Sequence, residues 1–161
     1  MIPDFIARWF APAPDSAVAD DLRRGRSPWL DSIHLLWSFW VFIVPLFSGG
    51  FKGYTLQWLL ITLGSYPVFL LLFAKAQLAS RRTAHFYALG MAALSLLLLR
   101  WYPSGISYFI YGCIMLRHCH MRFRSYVTRL VLLNAVFVAL AWWIGYPRSL
   151  LVIIPVTVLA V

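Results

Sequence analysis

Carboxylates are nearly missing from this chain. All five acidic residues are aspartates (Asp4, Asp15, Asp20, Asp21 and Asp31), and none occurs from Ser32 to Val161. That absence removes the usual groups for general acid–base catalysis, for binding hard cations and for intramembrane proton relays. Charge of either sign is scarce: 12% of the 161 residues are charged, against about a quarter in a soluble domain. Cysteine is limited to Cys113 and Cys119, in or beside one apolar stretch, which suits two reduced thiols better than a disulfide framework. The N-terminus, MIPDFIARWF, carries an acid and too short an apolar core for a secretory signal.

What fills the chain is apolar. Hydrophobic residues make up 62% of it, and mean hydropathy is +0.78. A small soluble core would not hide that much apolar surface, because small domains leave a large share of their surface exposed. Lipid is therefore the expected solvent. Six apolar segments follow one another: Ile33–Phe51, Tyr54–Ala74, Phe86–Tyr102, Gly105–Leu116 (Met121 at the furthest), Val127–Tyr146 and Ser149–Val161. A helix needs about 20 residues to cross the hydrocarbon. The second and fifth segments meet that length, the fourth is short, and the sixth is still apolar where the sequence stops. The expected fold is all-α, a polytopic transmembrane helical bundle of about six spans with the last one truncated. Residues 1–31 form a cytoplasmic or interfacial N-terminal segment, and 32–161 the multispanning domain.

The net charge of +9 is distributed in a pattern. Arg8, Arg23, Arg24 and Arg26 precede the first segment, and Lys52 follows it. Lys75, Arg81 and Arg82 follow the second segment, and Arg100 ends the third. Arg117, Arg122, Arg124 and Arg129 surround the fourth-to-fifth connection, and Arg148 follows the fifth. The alternation of 4, 1, 3, 1, 4 and 1 is the positive-inside pattern with the N-terminus in the cytoplasm. Arg81, Arg82, Arg117, Arg122 and Arg124 are then cytoplasmic membrane anchors. No nucleic-acid partner is expected, since the arginines sit at helix boundaries and not on one soluble face.

The run RHCHMRFR, from Arg117 to Arg124, also admits a metal reading through His118, Cys119 and His120. It is the weaker one. Residues two apart on a helix point to different faces, and a zinc site normally takes three or more protein ligands. A third reading has these histidines titrating with cytoplasmic pH or binding anionic lipid.

Other landmarks are local. Ile2, Phe5, Ile6, Trp9 and Phe10 share one helical face, which fits an interfacial helix as well as a disordered tail with chance periodicity. Asp15 or Ser16 suits the cap of a following helix, and Ser27–Pro28 the start of the first membrane helix. Trp101, Tyr102, Trp142, Trp143 and Tyr146 gather near the side away from the arginines, as an aromatic belt would. Pro67 and Pro155 fall inside spans and are expected to kink them, either for packing or as hinges. Asn134 is the costliest polar group to bury and is expected to bond to another helix. Gly64, Ser65 and Gly90 are candidates for close helix approach.

The runs LLWSFWVFIVPLF, TLGSYPVFLLLFA and LLLLRWYPSGISYFIYGCIMLR carry a family resemblance, with WYPSG–SYF–YGC its most specific part. Over about positions 22 to 117 the chain resembles the transmembrane sensor (input) region of DesK-type bacterial two-component sensor histidine kinases. The resemblance implies a homodimeric receptor of the bacterial inner (plasma) membrane. Its last span would continue into a cytoplasmic helix bearing the phospho-accepting histidine, then an ATP-binding domain that serves a response regulator. ATP and Mg belong to that kinase part; this segment is expected to be non-catalytic and to hold no cofactor. No phospho-acceptor helix, ATP lid or asparagine box is present, so the chain is expected to be an input region cut inside its final span. His34, His85, His118 and His120 each lie at or in a membrane segment, and none is the expected phospho-acceptor.

The resembled family includes members that respond to bilayer thickness and fluidity. With no outer domain here, the partners expected to deliver the stimulus are membrane lipids. Arg100, Trp101, Tyr102, Pro103 and Ser104 are the candidate surface-sensing residues. The rival readings are a small polytopic transporter or channel, and a scaffold subunit. Against a transporter stand the lack of an internal repeat and of carboxylates within the spans.

Overall fold

A computed structural model describes residues 9–27, 33–119, 122–146 and Ile154. Among the described residues all regular structure is helical, with no strand. A short α1 (Ala17–Arg23) is followed by α2 (Trp40–Gly49), α3 (Leu56–Leu78), α4 (Ala84–Leu98), α5 (Ile106–His118) and α6 (Phe123–Ile144). Three 3-10 segments, Ile33–Phe39, Gly50–Gly53 and Pro103–Gly105, join them.

Local chemistry sets several boundaries. Ser16 caps α1, its Oγ accepting from Ala19 N at 3.2 Å, and Thr55 caps α3 by accepting from Trp58 N at 3.1 Å; each satisfies one of the donors that a helix start leaves free. Gly145 ends α6 in the left-handed region at φ 78°. Beyond it, Tyr146 N donates to Ala141 O at 2.9 Å. A residue with a β-carbon is disfavoured in that conformation.

Among the described residues, α3 and α6 are the helices long and apolar enough to cross a membrane, at 23 and 22 residues with mean hydropathies of 1.8 and 1.9. In their apolar windows just 28% and 22% of residues are buried, so the rest of the protein encloses neither. The first, third and fourth apolar segments make shorter helices of 10, 15 and 13 residues in α2, α4 and α5. The first segment is not one helix. It is a 3-10 stretch, then α2 with Pro45 inside it, then a second 3-10 stretch through Gly50 and Gly53. Proline and glycine both weaken a continuous ladder of backbone hydrogen bonds, and this segment holds Pro45, Gly49 and Gly50, with Gly53 just after it. Residues 28–32, where Pro28 was expected to open the first span, lie outside the described residues. So does the sixth segment apart from Ile154, and Pro155 with it.

The core is built around α5. Tyr108, Phe109, Tyr111, Cys113, Met115 and Leu116 are all buried, leaving α5 apolar and enclosed on nearly every side. A short apolar helix of that kind is what a buried core helix looks like. Its tightest neighbour is α4, whose inner face runs Ala84, Ala88, Met91, Ala92 and Ser95. Gly112 makes this approach possible: a β-carbon there would stand 2.8 Å from both Ala88 O and Ala92 N. Of the expected small-residue contact sites, Gly90 is one: a β-carbon there would stand 3.3 Å from Leu72 Cδ2 of α3. Gly64 has nothing within 4 Å of its would-be β-carbon, while Ser65 is buried as a hydrogen-bonding group. Asn134 donates its Nδ2 to Leu130 O, one turn back in α6, at 2.9 Å.

Candidate functional site

The Arg100–Ser104 turn sits where α4 ends and α5 begins, and it is split in two. Arg100, Trp101 and Pro103 are exposed, whereas Tyr102 and Ser104 are buried at 1% and 3% exposure. The sequence grouped all five as one surface patch; the structure keeps three of them there and turns two into the core.

The two buried members are tied to α3. Trp58 Nε1 donates to Ser104 Oγ at 3.2 Å. One turn further on, the hydroxyls of Thr62 and Tyr102 lie 2.6 Å apart, and Thr62 Oγ1 also donates to Trp58 O at 2.7 Å. Ser65 and Tyr108 come within 3.2 Å of each other, and Tyr66 reaches Ser38 of the first 3-10 segment at 2.8 Å. Trp58, Thr62, Ser65 and Phe69 recur at helical spacing, so one face of α3 carries the contacts to Ser104, Tyr102 and Tyr108. The polarity of α3 at these positions is visible in the sequence, but the partners across the interface are not.

Rings fill the space between the hydroxyls. Phe69 stacks on Tyr108 with centroids 4.6 Å apart and meets Tyr111 edge-on at 5.2 Å. Phe42 of α2 touches both Trp58 and Tyr66, at 6.1 and 5.2 Å. The turn also has an anchor beyond α6, where Tyr146 Oη donates to Leu99 O at 2.7 Å. The expected aromatic belt therefore divides: Trp101, Trp142 and Trp143 face outward, while Tyr102 and Tyr146 hold the fold together.

The opposite end gathers cations. Lys75 and Arg81 receive the N-terminal segment. Lys75 Nζ donates to Trp9 O and lies 3.9 Å from the centre of the Trp9 ring. Arg81 pairs with Asp20 through its guanidinium and with Asp15 through its backbone N–H at 3.3 Å. Ala13 N donates to Leu78 O at 2.9 Å. Residues 1–8, the rest of the proposed interfacial helix, lie outside the described residues. Arg82, Arg117, Arg122 and Arg124 are exposed. At the start of α4, burial first and the Arg129 charge second push the His85 imidazole below its ordinary value.

For the RHCHMRFR metal reading, His120 lies outside the described residues, and the described part of His118 is its backbone. Cys119 is buried and donates its thiol to Met115 O at 3.2 Å, and burial raises its pKa to about 11. Among the described residues no three His, Cys, Asp or Glu side chains come together.

No family model, curated protein or solved structure matches this chain.

Proposed function

We propose that this chain is the multi-pass membrane sensing domain of a two-component sensor histidine kinase. In this reading it lies in a bacterial inner membrane with its N-terminus in the cytoplasm and acts as a homodimer. Its last helix would relay a bilayer or membrane-surface stimulus to a cytoplasmic kinase that uses ATP and Mg and phosphorylates a response regulator. The observation that carries the reading is the split turn. Exposed Arg100 and Trp101 adjoin Tyr102 and Ser104, which are bonded into α3. A displacement at that surface is thereby coupled to a long apolar helix, which is what a receptor without an outer domain needs.

Two further features support it. The outward faces of α3 and α6 are apolar, with Leu56, Leu60, Leu63, Val131, Leu132 and Trp142 all strongly exposed, as suits helices solvated by lipid. The cations also divide between the two ends of the bundle, with Lys52 and Arg100 at one and Lys75, Arg81, Arg82, Arg117, Arg122 and Arg124 at the other. A change in hydrocarbon thickness costs fractions of a kcal/mol per Å at each helix. Several helices moving together supply the few kcal/mol that bias a two-state element.

The test is reconstitution of the full-length parent in bilayers of graded acyl-chain length, with autophosphorylation as the readout. The expected result is a monotonic change in kinase activity with thickness that Trp101→Ala blunts. Activity independent of thickness would remove bilayer sensing. Reporter fusions that put Arg122 outside the cytoplasm would remove the arrangement altogether.

A further inference from the structure

Among the described residues, two of the buried polar atoms without a hydrogen-bond partner lie on α6 at the arginine-rich end. Tyr126, in the first turn of α6, is 6% exposed, and its buried hydroxyl has no hydrogen-bond partner. Arg129, three residues on and on the same side of the helix, has a buried, unpartnered Nη1. The helix carrying them packs against both α4 and α5. The Arg129 charge acts on His85 at the start of α4 and on Cys119 at the end of α5, while Arg117 acts on Tyr126. Tyr126 and Arg129 share one side of α6, and the ends of α4 and α5 bring His85 and Arg117 within electrostatic reach of them.

A buried, unsatisfied donor is destabilising, and a cation costs more than a hydroxyl. An intramolecular carboxylate is the usual remedy. Asp15 and Asp20 are engaged at Arg81, and among the described residues no carboxylate forms an ion pair with Arg129. An anion from outside the chain would supply the partner that the described residues do not. A guanidinium fork beside a hydroxyl donor matches the oxygens of a phosphate group better than a lone carboxylate or chloride. Basic pockets between helices at the cytoplasmic side of a membrane take phospholipid headgroups.

We infer that Tyr126, Arg129 and Arg117, with His85 at the rim, form a phosphate-binding site that the headgroup of an anionic phospholipid occupies. The lipid source rests on the membrane reading above; the phosphate chemistry does not.

The experiment keeps the two apart. The full chain in phosphatidylcholine nanodiscs is titrated with phosphatidylglycerol, and the chain in detergent with inorganic phosphate, while thermal unfolding is followed. Phosphatidylglycerol should raise the midpoint, and Arg129→Gln should weaken its apparent affinity by about tenfold or more, as loss of a charge-assisted contact does. Tyr126→Phe removes only the hydroxyl. Without anionic lipid it should be at least as stable as the parent chain, because no orphaned group remains, yet lose roughly fivefold in affinity. Arg124→Gln, exposed at the same end, should change affinity by less than about twofold. Protection by inorganic phosphate alone would overturn the lipid as the source and leave the site standing. Equal effects of Arg124→Gln and Arg129→Gln, or no Arg129-dependent shift with either titrant, would overturn the site.

Discussion

Helices α3 and α6 are near twins in sequence terms, 23 and 22 residues long with mean hydropathies of 1.8 and 1.9. Their surroundings differ. Along α3, Trp58, Thr62, Ser65 and Tyr66 each bond to another element, and Phe69 contacts four other rings. Along α6, Thr128 and Asn134 donate back into their own helix, and Phe137 has a ring contact with Phe109 at 5.1 Å. A groove of about 730 Å³ runs along α6, lined by Leu130, Asn134, Val138, Trp142 and Ile154. Hydrogen bonds are directional and fix register, whereas apolar contacts tolerate sliding and rotation. In the proposed receptor, α3 is the fixed rail and α6 the element with room to shift.

Truncating the rings should break or uphold this contrast most forcefully. Phe69→Ala is expected to cost about 4 kcal/mol and Phe137→Ala about 3 kcal/mol, read as unfolding free energies from denaturant titration in mixed micelles. Losses in the reverse order would remove the distinction between the helices. Thr62→Val comes next, because it strands the Tyr102 hydroxyl; it should cost about 1–3 kcal/mol. Adding Tyr102→Phe should restore about 1 kcal/mol as a coupling term. The matching change on α6, Thr128→Val, should stay within about 0.5 kcal/mol.

A smaller effect concerns pH. His85 has a lowered folded-state pKa, through burial and then the Arg129 charge, so the unfolded chain binds its proton more readily. Its contribution is therefore complete above the ordinary value of 6.5 and is lost as pH falls through the folded value. Melting curves should move to lower temperature on acidification through that range, and His85→Gln should flatten this part of the profile. The least costly change is Trp142→Ala, within about 0.5 kcal/mol for so exposed a side chain. It has a spectroscopic companion: in single-tryptophan variants, brominated acyl chains should quench Trp142 and Trp143 and spare half-buried Trp58. Equal quenching would mean that both long helices face lipid in the same way.

Much of the helical layout was legible from the sequence. The segments Tyr54–Ala74 and Val127–Tyr146 became Leu56–Leu78 and Phe123–Ile144, shifted by a few residues because caps such as Thr55 and Gly145, not hydropathy, set the ends. Ser16 was a readable cap. The first apolar segment was misjudged as one span, since hydropathy is blind to what Pro45, Gly50 and Gly53 do to a helix. The Arg100–Ser104 turn was found by its composition and position, yet its inward and outward halves were not separated. Gly112 was missed because its role appears only when Ala88 and Ala92 lie against it.

By itself the sequence determined an apolar, helical chain with cations spaced between its segments and no acid beyond Asp31. Those properties are local and survive whatever the helices do to one another. Only the tertiary structure decided that Thr62 meets Tyr102, that Ser104 meets Trp58, and that Arg129 and Tyr126 share one side of α6 with no counter-charge among the described residues. Such pairings depend on how far each helix is rotated about its axis and slid along it. Many side chains set that rotation jointly, and no single stretch of sequence encodes it.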